Sequence, residues 1–296
     1  MVAADARLGA DRLRRVWDNP RVQIRFGLGI RERLQTAARA GGERFAAGRM
    51  FVERHALASA VHDPRREGGR ILCYHSVGQP EWGVNDVAPA RFRRQLESAL
   101  ESGFRFVPAA DLARADGGPR DLSITFDDGA RSVLTTAAPI LAELGIPFSM
   151  FVVSDWSENG HRGMALDWDE ILRVADLGGE IGNHSATHPD FAGLSREQTL
   201  EEIGGAAELI EKRTGIHTTT FAIPLGQSAN WTGHADEAAR ELGYDVIYAQ
   251  AEQTRPAGTV ARTFVTRYDS PRIFSALLRG RFDDWEEWVS PDWRLR

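Results

Sequence analysis

The chain has 296 residues, of which 42% are hydrophobic and 26% are charged, an ordinary globular composition that allows one large core or two modest ones. Its single cysteine, Cys73, excludes an intrachain disulfide and a multi-cysteine zinc site, so any metal site has to use His, Asp and Glu. The net charge of -6 divides into +7 over residues 1–70 and -13 over the rest, and the acidic remainder argues against nucleic acid as a partner.

The first 69 residues form an Arg- and Ala-rich extension. Apolar residues recur at three- and four-residue intervals in "RLRRVW" and "IRERLQTAARA", which predicts helices. The charged run "VHDPRREGGR" contains proline and glycines and predicts a linker, so we place a domain boundary after residue 69.

The extension also bears on location. No stretch approaches the roughly 20 apolar residues of a membrane span, and residues 1–20 carry charges where a signal peptide needs an apolar segment. We therefore expect a cytoplasmic protein. The basic extension either lies on the anionic inner face of a membrane or packs against the acidic domain, and the opposite charges of the two parts favour packing.

From Ile71 onward, short apolar runs alternate with amphipathic helices, a pattern typical of a parallel sheet surrounded by helices. The predicted strands are 70–75, 122–126, 147–153, 180–184, 218–223, 244–249 and 263–267. The predicted helices are 89–103, 131–145, 168–179, 195–215, 235–243 and one that begins at 270. This order predicts an α/β fold, a (β/α) barrel of about seven strands over residues 70–281, with the helical extension before it and a Trp-rich tail over residues 282–296.

Polar and turn residues follow several of these strands where they end. They are Tyr74-His75, Asp127-Asp128, His184 and the "PLG" of residues 224–226. Because the active sites of (β/α) barrels lie at the carboxyl ends of the strands, this clustering predicts a functional site at that rim.

The stretch "HSATH" places His184 and His188 at positions i and i+4, on one side of a predicted helical turn, a spacing suited to binding one ion. Two histidines are too few ligands, and a carboxylate from "FDDG" would complete a three-ligand open site. A divalent cation would supply the countercharge that lets Asp127 and Asp128 ionise side by side, and the second carboxylate could act as a base on water. Gly129 would let the chain bend sharply after the pair.

These motifs resemble those of the NodB-like polysaccharide deacetylases, carbohydrate esterase family four, over about residues 70–280. "TFDDG" and "HSATH" resemble the first two motifs of that family, and "YHSVG", "FRRQL" and "GFRFVP" resemble the branch that opens with a YH strand. The resemblance implies a distorted (β/α) barrel. It also implies hydrolytic removal of an N-acetyl or O-acetyl group from a sugar of a polysaccharide or glycoconjugate, with a divalent metal ion, for which we expect zinc.

Residue by residue, the resemblance implies that Asp127 is the general base. The residues that match the metal ligands are Asp128, His184 and His188. The third motif departs from the family, because "FAIPLG" keeps Pro224 and the glycine but replaces the usual pocket aromatics with aliphatic residues. We expect the backbone N–H of Leu225 to donate to the oxyanion, since this role does not depend on the side chain. Trp168 and Arg262 match substrate-site positions.

The sequence identifies the proton donor less clearly than the general base and the metal ligands. The family's last motif supplies a histidine as general acid, but this chain has no histidine after His234. Two residues remain as candidates, His75 at the end of the first strand and His234 on the loop after the third motif. We favour His75, because a residue at a strand end is held rigidly.

Two alternatives to a glycan deacetylase remain open. The absent C-terminal histidine and the altered third motif favour a glycan-binding or scaffold protein that has lost catalysis. An amidase or deformylase acting on a related small substrate would keep the metal chemistry and change only the bond. The sequence does not specify an oligomeric state.

Overall fold

The computed structural model describes residues 43–59, 68–115, 117–252 and 255–286. These residues fall in two compact units, of which the first includes 43–59 and the second includes 68–286 apart from the gaps just given. The described part of the first unit is helix α1, Glu43–Ala58. The two helices predicted upstream of it lie outside the described residues. Among the described helices, none is both long and apolar enough to cross a membrane.

Eleven strands are present in the described residues, and all their pairings are parallel. They are β1 Arg70–Tyr74, β2 Ser76–Val77, β3 Asp86–Val87, β4 Arg105–Phe106, β5 Asp121–Phe126, β6 Phe148–Val152, β7 Gly179–Asn183, β8 Thr220–Ala222, β9 Val246–Ala249, β10 Val260–Ala261 and β11 Thr263–Phe264. Strands β2 and β3 form a small separate sheet, and the other nine form one large sheet.

The large sheet is nearly closed into a barrel, which confirms the predicted fold class. Its strand order is β10-β9-β8-β7-β6-β5-β1-β11, and β4 pairs with β5. The two edge strands, β10 and β11, are separated in the chain by Arg262 alone, so the chain passes from one edge to the other at this residue. All seven predicted strands are present. Strands β4 and β10 were not predicted, because a strand of two residues offers no alternating pattern.

Helices follow most strands. They are α2 Pro89–Glu101, α3 Ala109–Ala115, α4 Ala138–Leu144, α5 Ser154–Asn159, α6 Trp168–Asp176, α7 Arg196–Thr214, α8 Gly233–Glu241 and α9 Pro271–Leu278. Ser195 and Gln198 form a capping box at the start of α7, which ends on Gly215 with a left-handed φ of 73°. The predicted helix over 131–145 begins with a π-helical segment, Val133–Ala137, that continues into α4.

The strand register sets up the functional rim. Every residue of β1, β5 and β6 is buried, as expected for parallel strands covered on both faces. Tyr74 of β1 pairs with Phe126 of β5, so His75 and Asp127 leave neighbouring strands at the same edge. His184 follows β7, whose last residue pairs with the last residue of β6. The carboxyl ends of these strands therefore bring the predicted site residues to one rim.

The described part of the C-terminal tail packs on the same unit. The buried side chains of Arg70 and Asp283 form an ion pair at 3.3 Å, and the Ser228 N–H donates to the Glu286 carboxylate at 2.8 Å. The ring of Trp285 stacks on Phe264 of β11. Residues 283–286 thus contact the first strand and the loop of the third motif, while residues 287–296 lie outside the described residues.

Candidate active site

Three side chains converge at the rim as a candidate metal group. The Asp128 Oδ1 atom lies 3.5 Å from His184 Nε2 and 3.4 Å from His188 Nε2. One ligand atom from each residue lies within 4.8 Å of the other two. Asp128 Oδ1 is buried and accepts no hydrogen bond from a described residue, which is unfavourable for a carboxylate oxygen unless a ligand compensates it. The oxygen and nitrogen donors and the orphaned carboxylate oxygen fit a divalent cation.

The His184 ring is oriented by the strand next to it. Its Nδ1–H donates to the Ala222 carbonyl at 2.8 Å, which leaves the Nε2 lone pair for the metal group. The predicted helical turn at 184–188 is wrong, because Ser185 and His188 adopt left-handed φ values of 70° and 62°. The loop nevertheless brings the two imidazoles together, with ring centroids 4.9 Å apart.

One carboxylate from outside the motif holds this loop. Glu202 of α7 accepts hydrogen bonds from the Ala186 N–H at 3.1 Å, the Thr187 N–H at 2.9 Å and the Thr187 hydroxyl at 2.7 Å. Inside the loop, the His188 N–H donates to Ser185 Oγ at 3.0 Å. The sequence reasoning missed Glu202, since nothing in the helical pattern distinguishes it from its neighbours.

Strained backbone is concentrated at the rim. Among the described residues, the non-glycine positions with positive φ are Asp128, His161, Arg162, Ser185, His188 and Leu225. Left-handed conformations cost about 1–2 kcal/mol in such residues and persist where the surrounding structure requires them. Gly129, at φ 61°, extends the bend after Asp128, as predicted. This concentration is typical of a functional site.

Asp127 lies beside the metal group and is held by Arg262. The guanidinium donates to both carboxylate oxygens, at 2.6 and 2.7 Å, and the Cys73 thiol lies 3.4 Å from Oδ2. The Phe151 and Tyr248 rings lie 5.3 and 5.5 Å from the guanidinium carbon. Burial raises the pKa of Asp127, but the Arg262 charge outweighs burial and holds that pKa well below its usual range. Asp127 is therefore ionised at neutral pH.

The protonation of two members of the metal group, Asp128 and His188, also suits cation binding. Burial raises the pKa of the Asp128 carboxyl, but the His184 ring beside it lowers that pKa, with the other nearby imidazoles, to about 2. Burial lowers the pKa of His188 to about 4. At neutral pH the group therefore includes a carboxylate and a neutral imidazole, the forms that bind metals.

The two candidate proton donors lie in different surroundings. His75 Nε2 is 3.9 Å from Asp128 Oδ2, and the His75 ring packs edge-on against Phe264 at 5.1 Å. His234, in α8, lies with Nε2 3.1 Å from the Leu194 carbonyl. The structure thus brings His75 to the metal group and holds His234 against a backbone carbonyl.

The remaining predicted site residues, Pro224, Leu225 and Trp168, lie on different elements of the chain. Leu225 follows β8 with a φ of 65°, its carbonyl accepts a hydrogen bond from Gln250 at 3.1 Å, and the preceding Pro224 is buried. Trp168 begins α6, and its indole N–H donates to Glu158 at 2.6 Å.

An aromatic side chain that the sequence did not single out, Trp156, lies against His188, and further aromatic rings pack on it. The Trp156 ring stacks on His161, with centroids 4.0 Å apart, and on His188 at 5.3 Å. Trp82, in the single turn Pro80–Asn85, is 6.2 Å from Trp156. Neither a motif nor a periodic pattern marks these residues, because they lie on a short helix and two irregular turns.

The comparison with known families matches this geometry. Residues 114–247 match the family model described as polysaccharide deacetylase. Over these residues the chain is similar to the polysaccharide deacetylase family. The match includes the Asp127-Asp128 pair and both histidines of the metal group.

Similar proteins extend the match over more of the chain. YxkH of Bacillus subtilis (strain 168) is 24% identical over 182 residues, covering 60% of this chain and 62% of YxkH. PdaC of the same organism, a peptidoglycan-N-acetylmuramic acid deacetylase, is 28% identical over 132 residues, covering 44% of this chain and 26% of PdaC. The chain therefore spans less than two thirds of the length of either relative.

A solved structure supports the fold. The Streptococcus pyogenes deacetylase PplD, in complex with acetate, superposes with a TM-score of 0.62 at 20% identity, covering 72% of this chain and 97% of PplD. At this level of identity, the similarity shows that the two chains share a fold.

Proposed function

We propose that this protein is a metal-dependent hydrolase that removes an N-acetyl or O-acetyl group from a sugar of a polysaccharide or glycoconjugate. The observation that carries the proposal is the metal group, Asp128, His184 and His188, beside a second carboxylate that Arg262 keeps ionised. The match to the polysaccharide deacetylase family and the similarity to PdaC, a peptidoglycan-N-acetylmuramic acid deacetylase, support the same chemistry.

A divalent ion held by the metal group would supply Lewis-acid activation of the acyl carbonyl and of the attacking water. Asp127 accepts a proton from that water as its oxygen attacks the acyl carbon. Of the roughly four acceptor sites of the Asp127 carboxylate, Arg262 and Cys73 use three, so one remains for the water.

The chain's other groups complete the reaction. The Leu225 N–H, in its left-handed turn, donates to the oxyanion that develops on the acyl oxygen. His75 gives a proton to the leaving nitrogen or oxygen as its bond to the acyl carbon breaks, and acetate and the deacetylated sugar are released.

Zinc is the ion we propose, because one carboxylate and two imidazoles leave an open position of the kind that catalytic zinc sites keep. The substrate we propose is an N-acetylated glycan. A cytoplasmic location and contact between the Arg-rich extension and an anionic membrane stay predictions from the sequence. Residues 1–42 of that extension lie outside the described residues.

The test compares the wild type with Asp127→Asn and Asp128→Asn, measuring bound divalent metal and acetate release from a panel of N-acetylated glycans. We expect wild type to bind the ion and release acetate. Asp127→Asn should keep the ion and lose at least about 100-fold in rate, and Asp128→Asn should lose both. Thermal unfolding of all three proteins shows whether each is folded.

Three outcomes would contradict the proposal. An Asp128→Asn protein that keeps both the ion and turnover would refute the metal assignment. A wild-type protein that binds glycans, but holds no ion and releases no acetate, would favour the scaffold alternative. Bound ion with turnover only on formamides or cyclic amides would favour the amidase alternative.

A further inference from the structure

Trp156 stacks on the metal ligand His188, and the rings of His161 and Trp82 pack in turn against Trp156. Trp156, in α5, lies between the rings of His161 and His188, at interplanar angles of 20° and 30°. Trp82 reaches the same group from the turn Pro80–Asn85, with its ring 6.1 Å from that of His161. The side chains of Trp82, Trp156 and His161 are half-buried, so each keeps part of its surface accessible.

The turn that carries Trp82 has polar groups without protein partners among the described residues. Trp82 Nε1 and Asn85 Oδ1 are both buried and form no hydrogen bond there. The turn is nevertheless anchored, because Gln79, which precedes it, donates to the Met164 carbonyl at 3.0 Å. A leftover donor and a leftover acceptor beside aromatic rings suit a ligand that carries hydroxyl groups.

We propose that Trp82, Trp156 and His161 form an aromatic wall that binds the apolar face of a sugar ring next to His188. The proposal rests on the proposed function and identifies the part of the site that recognises the glycan. A pyranose has an apolar C–H face that packs on aromatic rings, while its hydroxyl groups bond at the rim of the contact.

One further observation supports the aromatic wall. Burial lowers the pKa of His161, so its ring is neutral at pH 7 and presents an uncharged face to the stack.

Phe104 provides the control. It is half-buried, like the residues of the aromatic wall, and the Arg120 guanidinium carbon lies 5.3 Å from its ring centroid. It directly precedes β4, which pairs with the first residues of β5, at the end of that strand opposite Asp127. Replacing Phe104 removes a partly exposed aromatic ring without removing part of the aromatic wall.

The test measures binding of the β-1,4-linked tetramer of N-acetylglucosamine by calorimetry. The proteins compared are the wild type, Trp82→Ala, Trp156→Ala, Trp156→Phe and Phe104→Ala. We expect Trp82→Ala and Trp156→Ala to raise the Kd by about two- to twelvefold each, since an aromatic contact contributes about 0.5–1.5 kcal/mol. Trp156→Phe keeps an aromatic face and should retain most of the affinity, and Phe104→Ala should bind as wild type.

Acetate release measured on the same proteins separates this proposal from the proposed function. If the tetramer binds more weakly to Trp82→Ala and Trp156→Ala but the wild type releases no acetate, the deacetylase function is refuted and the aromatic wall is supported. The aromatic wall is overturned if wild type does not bind the tetramer, or if Trp82→Ala and Trp156→Ala both bind as wild type. Thermal unfolding checks each variant, and Trp82→Ala decides if Trp156→Ala does not fold.

Discussion

Arg262 donates hydrogen bonds to both carboxylate oxygens of Asp127, and the two side chains are only 2% and 6% exposed. Arg262 is also the residue at which the chain passes from β10 to β11, the two edges of the sheet. Closing the barrel and orienting the proposed base therefore depend on the same residue. A buried carboxylate at this position needs such a partner, because an unpaired charge is costly to bury.

Replacing Arg262 should therefore affect stability and activity together. Arg262→Met leaves Asp127 buried without a countercharge and should lower the free energy of unfolding by about 3–5 kcal/mol. Arg262→Lys keeps the charge but loses the bidentate contact. It should therefore destabilise the protein less than Arg262→Met does, while the rate of acetate release should fall by about 10–100-fold. Denaturant unfolding and steady-state kinetics measure the two effects.

The matched control is Arg114→Lys. Arg114 makes a bidentate contact of the same kind with Asp245, at 2.7 and 3.0 Å, but both side chains are exposed. Exposed ion pairs contribute little to stability, so Arg114→Lys should match the wild type in unfolding free energy and in acetate release. Equal losses in Arg114→Lys and Arg262→Lys would contradict a special role for the buried pair.

Local signals in the sequence predicted much of this molecule. Ser195 and Gln198 are three residues apart, and Asp128 follows an apolar strand directly, so short windows identify the cap and the candidate ligand. The contact between Asp127 and Arg262 joins residues 135 positions apart and depends on how the barrel closes. No local pattern contains that information.

The aromatic wall and Glu202 escaped prediction for a related reason. Trp156 lies in α5 and Trp82 in the turn Pro80–Asn85, and their proximity depends on how these separate segments pack over the rim. Glu202 is one of several acidic residues of α7, and only its contacts with Ala186 and Thr187 distinguish it. Residue type at a strand end identifies the first ligands, whereas supporting contacts require the folded structure.

Removing the divalent ion should destabilise the protein as well as inactivate it. A chelator is expected to abolish acetate release, and added zinc should restore it. At an ion concentration of about 100 times the Kd, binding contributes about 2.7 kcal/mol, which corresponds to a rise in Tm of roughly 5–10 °C for a domain of this size. Asp128→Asn, measured in parallel, should show no zinc-dependent shift. A chelator-insensitive Tm together with chelator-insensitive turnover would contradict the metal site.

The hydrogen bonds to Glu202 should set metal affinity. Glu202→Ala removes three contacts to the loop that carries His188, so we expect the affinity for zinc to fall by about 10–100-fold. Glu202→Gln keeps one acceptor oxygen, so its affinity for zinc should lie between those of the wild type and Glu202→Ala. Competition with a chromogenic chelator measures the affinity directly.

The neighbouring Glu201 is exposed on the same helix and supplies the control, Glu201→Gln. This variant changes the charge of the helix equally but should leave zinc affinity unchanged. If Glu201→Gln and Glu202→Gln weakened zinc equally, the effect would come from charge alone, and the positioning role of Glu202 would be refuted.

The last prediction concerns the proton donor. His75 lies beside the metal group, with Nε2 3.9 Å from Asp128 Oδ2, whereas His234 is held against the Leu194 carbonyl. His75→Ala should lower acetate release from an N-acetylated glycan by about 10²–10⁴-fold, because an amine leaves only when protonated. On p-nitrophenyl acetate, whose leaving group needs no proton, the same variant should lose little. His234→Ala should match wild type on both substrates. Equal losses on the amide and the ester, with zinc still bound, would show that His75 does not act as the acid.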